Sequence, residues 1–73
     1  EYTVSALIPI SDFNKEFQAS FSDKEFDTLG GIVMNHFEGF PQPKDSIGID
    51  NFRFTILSSG KGRIKKIKVS KQD

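Results

Sequence analysis

Eight phenylalanines are spread along a chain of 73 residues that contains no cysteine and a single histidine. That combination decides most of what the chain can become. A domain this small buries only about 60% of its unfolded surface, and many such domains add a disulfide or a structural metal. No disulfide can form here, and a structural zinc wants four nitrogen or sulfur ligands. The core must therefore come from ordinary packing, with aromatic rings supplying much of it. The lack of cysteine removes cysteine nucleophiles and iron–sulfur clusters, and one histidine in so short a chain argues against a histidine-based triad or a closed dinucleotide-binding fold. What remains is one small α+β domain over residues 1–73.

Charge sharpens the picture. Ten basic and ten acidic residues cancel, but they are not mixed. Residues 1–50 hold nine acids and three bases, whereas residues 51–73 hold seven bases and one acid. Such a split bears on partners rather than on fold. No apolar run is long enough for a membrane span or a signal-peptide core. The sequence opens at Glu1-Tyr2-Thr3 without a methionine and already alternates like a strand, so it reads as a piece of a longer protein.

The hydrophobic pattern gives an element order. Tyr2 to Ile8 is rich in β-formers and predicts a strand, closed by Pro9, which lacks a ladder donor. Ser11 is a plausible N-cap for a short helix from Asp12 to Phe17, with Phe13 and Phe17 on one face. Ser22 and Glu25 have capping-box spacing and suggest a single helical turn between Phe21 and Phe26. Leu29, Ile32, Val33, Phe37 and Phe40 form one helical stripe. Asp27 or Thr28 caps its start, and Gly39 suits a left-handed stop. Phe40-Pro41-Gln42-Pro43 is an extended connector.

The remainder reads as β. Ile47 and Ile49 alternate with Ser46 and Gly48, and Asp50-Asn51 makes a tight turn. Phe52, Phe54 and Ile56 share one face, with Arg53, Thr55 and Leu57 on the other. Ser58 to Gly62 is a longer turn, and Arg63 to Ser70 is the last strand. There the phase slips between Ile64 and the pair Ile67 and Val69, and a β-bulge near Lys65-Lys66 would bring all three to the core. The order is β-α-α-β-β-β, a four-stranded, mainly antiparallel sheet with two helices on one face. Leu29, Ile32, Val33, Phe37, Ile47, Ile49, Phe54, Ile56, Ile67 and Val69 are the expected core. No internal repeat or low-complexity tract interrupts the pattern.

Several of these segments together resemble one family. Asp27-Thr28-Leu29-Gly30-Gly31, the helix to Gly39, Pro41-x-Pro43, Asp45, Ile47-x-Ile49, the Asp50-Asn51 turn, Phe52-Arg53-Phe54 and Arg63-Ile64-Lys65-Lys66-Ile67-Lys68-Val69 follow one another as in the CorC/HlyC transporter-associated domain. The chain resembles that family from about Val4 to Val69. No single piece is specific, but the ordered set is. Two positions depart: Ser5-Ala6 and Asn51 stand where the family often has glycine.

The resemblance implies a setting. Such domains lie at the C-terminal end of bacterial membrane proteins, after a paired CBS module and a membrane-spanning region. Those proteins are tied to magnesium and cobalt efflux, and some are called hemolysin-like. The domain is thought to modulate ion transport from the cytoplasmic side of the inner membrane, as a regulatory and non-enzymatic part. Its fold is likened to part of FAD-binding domains, an analogy that brings no cofactor with it. The implied partners are the CBS module and membrane domain of the same protein, with a second copy of the domain as a further candidate.

Individual residues carry competing readings. Gly30-Gly31 at a helix start suits anion binding, or close packing of the helix on the sheet. Asp23, Glu25 and Asp27 alternate like the start of a calcium loop, but Thr28 and Met34 occupy the positions that need Gly and Glu. They remain weak candidates for a hard cation, or a solvated acidic turn that favours the helix N-terminus. Both motifs together motivate an alternative function, a small-ligand sensor for a nucleotide or divalent cation. His36 has no second ligand at helical spacing. The basic strand, with Arg63, Lys65, Lys66 and Lys68 as a candidate interaction surface, suits an anionic membrane leaflet or an acidic partner domain. Its other reading is protection of an exposed sheet edge. Residues 61–73 contain no aromatic side chain to stack on a base, so nucleic acid is a poor partner. No base is placed beside any serine or threonine by a recognisable motif, and no catalytic residue is expected.

Overall fold

The structure, a computed structural model, describes residues 1–72. Strand β1 (Tyr2–Ser5) leads into helix α1 (Ile10–Phe17) and helix α2 (Leu29–Asn35). Three consecutive strands follow, β2 (Ser46–Ile49), β3 (Phe52–Gly60) and β4 (Arg63–Lys71). Every pairing is antiparallel and the strand order is β1-β4-β3-β2. The expected element order and sheet are both present, with the helices on one face.

Turn chemistry sets the two hairpins. Asp50 takes the left-handed conformation (φ 55°) between β2 and β3. Lys61 and Gly62 both have positive φ, 52° and 80°, which is the two-residue loop whose twist matches the flanking strands. The longer turn expected from Ser58 to Gly62 is therefore wrong: the two-residue loop is enough, and β3 runs on to Gly60. The bulge near Lys65-Lys66 is present. Ile56 lies opposite Ile67, Ser58 opposite Lys66 and Ser59 opposite Ile64, so Leu57 and Lys65 are each an extra residue. The paired irregularities bring Ile64, Ile67 and Val69 all into the core.

The helical half differs from its sequence pattern in detail. β1 stops at Ser5 rather than Ile8, and α1 begins at Ile10, with Pro9 rather than Ser11 as N-cap and no side-chain cap. A backbone clasp replaces the cap. Ile10 N–H donates to Asp27 C=O (3.0 Å), Leu29 N–H donates to Ile8 C=O (3.0 Å), and Pro9 bridges Thr28. The two helix starts are thus laced together. Thr28, not Asp27, caps α2, its Oγ1 accepting from Gly31 N–H at 3.3 Å. α2 ends at Asn35, short of Gly39, so Phe37 is only half-buried and Phe40 is 40% exposed. Ile47, also expected inside, is half-buried beside the sheet edge. Ser22 and Glu25 form no helical turn; the Ser22 hydroxyl instead accepts from Lys24 N–H (3.2 Å), closing a non-helical turn.

Phe13 is the hub of the core and is 0% exposed. Its ring centroid lies 4.5 Å from Phe17, 5.6 Å from Phe52 and 5.9 Å from both Phe21 and Phe54. Asn14 holds Phe21 in place by pairing with its backbone, donating to the carbonyl (2.9 Å) and accepting from the N–H (3.1 Å). Leu29, Ile32 and Val33 of α2 complete the cluster against β3 and β4.

Candidate interaction surfaces

Gly30 and Gly31 lie in close contact with the chain around them. A Cβ on Gly30 would sit 2.9 Å from both the Cβ and the carbonyl oxygen of Ala6, just beyond β1. A Cβ on Gly31 would meet the Phe26 ring at 3.0 Å. The early N–H groups of α2 are already engaged: Leu29 with Ile8 C=O, Gly30 with Ala6 C=O at 2.9 Å, and Gly31 with Thr28. No donor is left there for a phosphate. The close approach expected of these glycines is real, but it is made to Ala6 and Phe26 rather than to the body of the sheet.

Asp23, Glu25 and Asp27 are all exposed on the connector between the helices. Among the described residues, no three histidine, aspartate or glutamate side chains gather in a group that could hold a metal ion. His36 is exposed, and its Nδ1 donates to the Ile32 carbonyl at 3.0 Å, one turn back on its own helix. Both motifs that suggested a small-ligand sensor are thereby engaged otherwise or dispersed.

The basic strand occupies an unexpected place. β4 lies between β1 and β3, so its lysines cannot protect a sheet edge; the edges are β1 and β2. That reading fails because both sides of β4 are already paired. The lysines matter for a different surface. Register puts Thr3 opposite Lys68, Lys68 opposite Thr55 and Thr55 opposite Ser46. In the next rows Ser5 faces Lys66, and Ser70 faces Arg53. All of these stand on the sheet face turned away from the helices, and none is buried.

That outer face carries Arg53, Lys66 and Lys68 in a field of hydroxyls, with Arg63 and Lys65 exposed at the β3–β4 end. Arg53 Nη1 donates to Ser46 Oγ at 3.0 Å, which lays the guanidinium across β2. Lys68 meets Glu1 at 3.9 Å, a loose exposed pair that holds neither side chain firmly. Most acids lie elsewhere: residues 6–45, which form the helix layer and its connectors, hold seven acids against three bases. Arg53, Lys66 and Lys68 thus stand on the face away from that acid-rich layer, whereas Lys71 pairs opposite Phe52 on the core side. Arg53 went unnoticed in the sequence as part of this surface, although its alternation with Phe52 and Phe54 placed it on the outer side.

A second surface was not foreseen at all. Between β1 and the end of α1 runs an open groove of about 530 Å³, lined by Tyr2, Val4, Leu7, Ile8 and Phe17, with Glu16 at its margin. Tyr2 is 65% and Leu7 67% exposed, so two large side chains stand at the surface along the groove. The Tyr2 ring meets Phe17 edge-on at 5.3 Å.

An open basic sheet face and an apolar groove along one edge define a small, surface-presenting α+β module. The chain belongs to the CorC_HlyC family, the transporter-associated domain, which matches residues 1–73. It is 40% identical over 72 residues to the magnesium and cobalt efflux protein CorC of Escherichia coli strain K12, covering 99% of this chain and 25% of that protein. It is 38% identical over 72 residues to the protein of the same name from Pasteurella multocida, covering 99% of this chain and 24% of the relative. The chain therefore spans about a quarter of the length of these curated relatives. The crystal structure of a CorC_HlyC domain from Haemophilus ducreyi has the same fold, with a TM-score of 0.86 at 23% identity over 99% of this chain and 88% of that one. Among the described residues, no helix is long and apolar enough to cross a membrane.

Proposed function

We propose that this chain is one domain of a longer CorC-type magnesium and cobalt efflux protein and regulates transport through contacts rather than catalysis. The observation that carries this reading is the uncovered outer face of the sheet, where Arg53, Lys66 and Lys68 project from β3 and β4 among hydroxyl side chains. A face of that kind suits an acidic protein surface, because complementary charge steers encounter and fixes orientation. In the family setting the partner is the CBS module or membrane domain of the same polypeptide, on the cytoplasmic side of the bacterial inner membrane. Docking and release of the domain would bias the state of the transporter, since a contact made in only one of two states shifts their balance.

The test is a titration of the 73-residue chain against the rest of its own protein at low salt. Saturable binding that weakens as salt rises, and weakens further in a Lys66→Glu/Lys68→Glu variant, supports the reading. No binding at low salt overturns it. Vesicles containing phosphatidylglycerol form a separate arm: binding there alone assigns the face to the membrane surface and removes the domain-contact mechanism.

A further inference from the structure

The outer face leaves the apolar groove beside β1 without a role. We propose that the edge of β1 is a docking site for an extended peptide segment, which joins the sheet as a fifth strand and lays alternate apolar side chains in the groove.

The backbone argument comes from the ladder. Ala6 N–H donates to Lys65 C=O at 2.9 Å, which continues the β1–β4 register and marks Ala6 as a hydrogen-bonded position. In an antiparallel ladder such positions alternate, so Val4 and Tyr2 also bond toward β4. Thr3 and Ser5 must then point their backbone groups the other way, past the edge of the sheet. The Ser5 carbonyl accepts from Ile8 N–H at 3.1 Å. That leaves the N–H and C=O of Thr3 and the N–H of Ser5 presented to whatever lies alongside. Those groups recognise another extended backbone.

The edge is also undefended. Residues 2–5 contain no lysine, no proline and no bulge, the devices that usually blunt an edge. At the opposite edge, the Arg53 guanidinium reaches across Ser46 and Gly48 instead. Beside β1, Tyr2, Val4, Leu7 and Phe17 offer an apolar floor of the volume that ordinarily receives a few side chains.

Charge chooses the occupant. Glu16 is the one charged residue lining the groove, so a lysine or arginine in the peptide finds its complement there. A second copy of this chain brings no such group: its own edge segment carries Glu1 and no base before Lys15. The occupant is therefore an extended segment with apolar residues at every second position and a basic residue among them. This site is separate from the basic sheet face, and it does not depend on the regulatory reading above.

The test is selection from a library of random ten-residue peptides displayed on phage, followed by titration of one synthetic selected peptide into the isotope-labelled chain. Enriched sequences should alternate apolar and polar residues and carry lysine or arginine. Binding should slow hydrogen exchange at the Thr3 and Ser5 amides. Thr3→Pro should weaken binding at least tenfold, because it removes an outward N–H and leaves the β1–β4 ladder intact. Glu16→Lys should reduce affinity for the basic peptides severalfold without altering the fold. Several results overturn the proposal: no enrichment, binding without protection of those two amides, or binding that Thr3→Pro leaves unchanged in a folded variant. Sedimentation showing a dimer that Thr3→Pro disrupts, with no peptide bound, assigns the edge to a second copy and also overturns it.

Discussion

Gly30 donates its N–H to the Ala6 carbonyl at 2.9 Å, and a Cβ at Gly30 would stand 2.9 Å from that same oxygen. The hydrogen bond and the missing side chain are two halves of one contact, which seats α2 against the chain leaving β1. Alanine at this position gains about 1 kcal/mol of helix propensity but collides with backbone that cannot swing aside. Overpacking of this kind costs about 1–3 kcal/mol. Gly30→Ala should therefore destabilise the chain, while Gly31→Ala, whose nearest contacts are the Phe26 ring at 3.0 Å and its Cβ at 3.2 Å rather than backbone, should cost less. Urea unfolding of the two variants measures the contrast, and equal effects would remove the explanation.

Phe13 touches four other aromatic rings and has no exposed surface. Phe13→Ala is expected to cost about 3–5 kcal/mol. A chain of this length has roughly 4–11 kcal/mol to lose, so the variant should give up a large share of its stability and melt far below the parent chain. Circular dichroism and a melting curve report it directly. Phe21→Ala, at a half-buried position on the rim of the same cluster, should cost less.

The start of α2 depends on Thr28, and the start of α1 on no side chain at all. Thr28→Ala should lower stability by about 1 kcal/mol. Ser11→Ala should change it by less than about 0.5 kcal/mol, as for an ordinary surface position. A large effect at Ser11 would contradict the backbone clasp between Ile8–Ile10 and Asp27–Leu29.

Lys44 sits in a turn with φ of 79°, where Asp45 Oδ2 accepts from Gln42 N–H at 2.9 Å. A side chain in the left-handed region costs about 1–2 kcal/mol, a penalty that glycine escapes. Part of that gain is offset by the greater freedom of glycine in the unfolded chain. Lys44→Gly should raise the unfolding midpoint modestly; a lower midpoint would show that the lysine side chain makes a contribution of its own.

Where local chemistry decides structure, the sequence was easy to read. The phase slip between Ile64 and Ile67 announced the bulge, Asp27 or Thr28 announced a cap, and Asp50-Asn51 marked the first hairpin, while the second was read as a longer turn than the two-residue loop it is. The misreadings share a different cause. Basic residues on β4 looked like edge protection because nothing local shows that Tyr2–Ser5 returns to pair with Lys66–Val69. Ser11 looked like a cap because the backbone partner that replaces it, Asp27, lies far along the chain. Phe40 looked like the end of a buried stripe, yet α2 stops at Asn35 and carries the ring past the core's rim. The groove beside β1 needs α1 packed next to that strand before it exists, so no single segment could reveal it.

The placing of most acids on the helix layer and of Arg53, Lys66 and Lys68 on the sheet's outer face has a consequence for motion. A molecule of zero net charge feels no net pull in a uniform field, but one so divided feels a torque. It is turned before it is drawn in, so approach to a charged neighbour presents one face well ahead of touch. Orientation would then be selected at a distance of about a Debye length, roughly 8 Å at physiological salt, and fade as ionic strength rises.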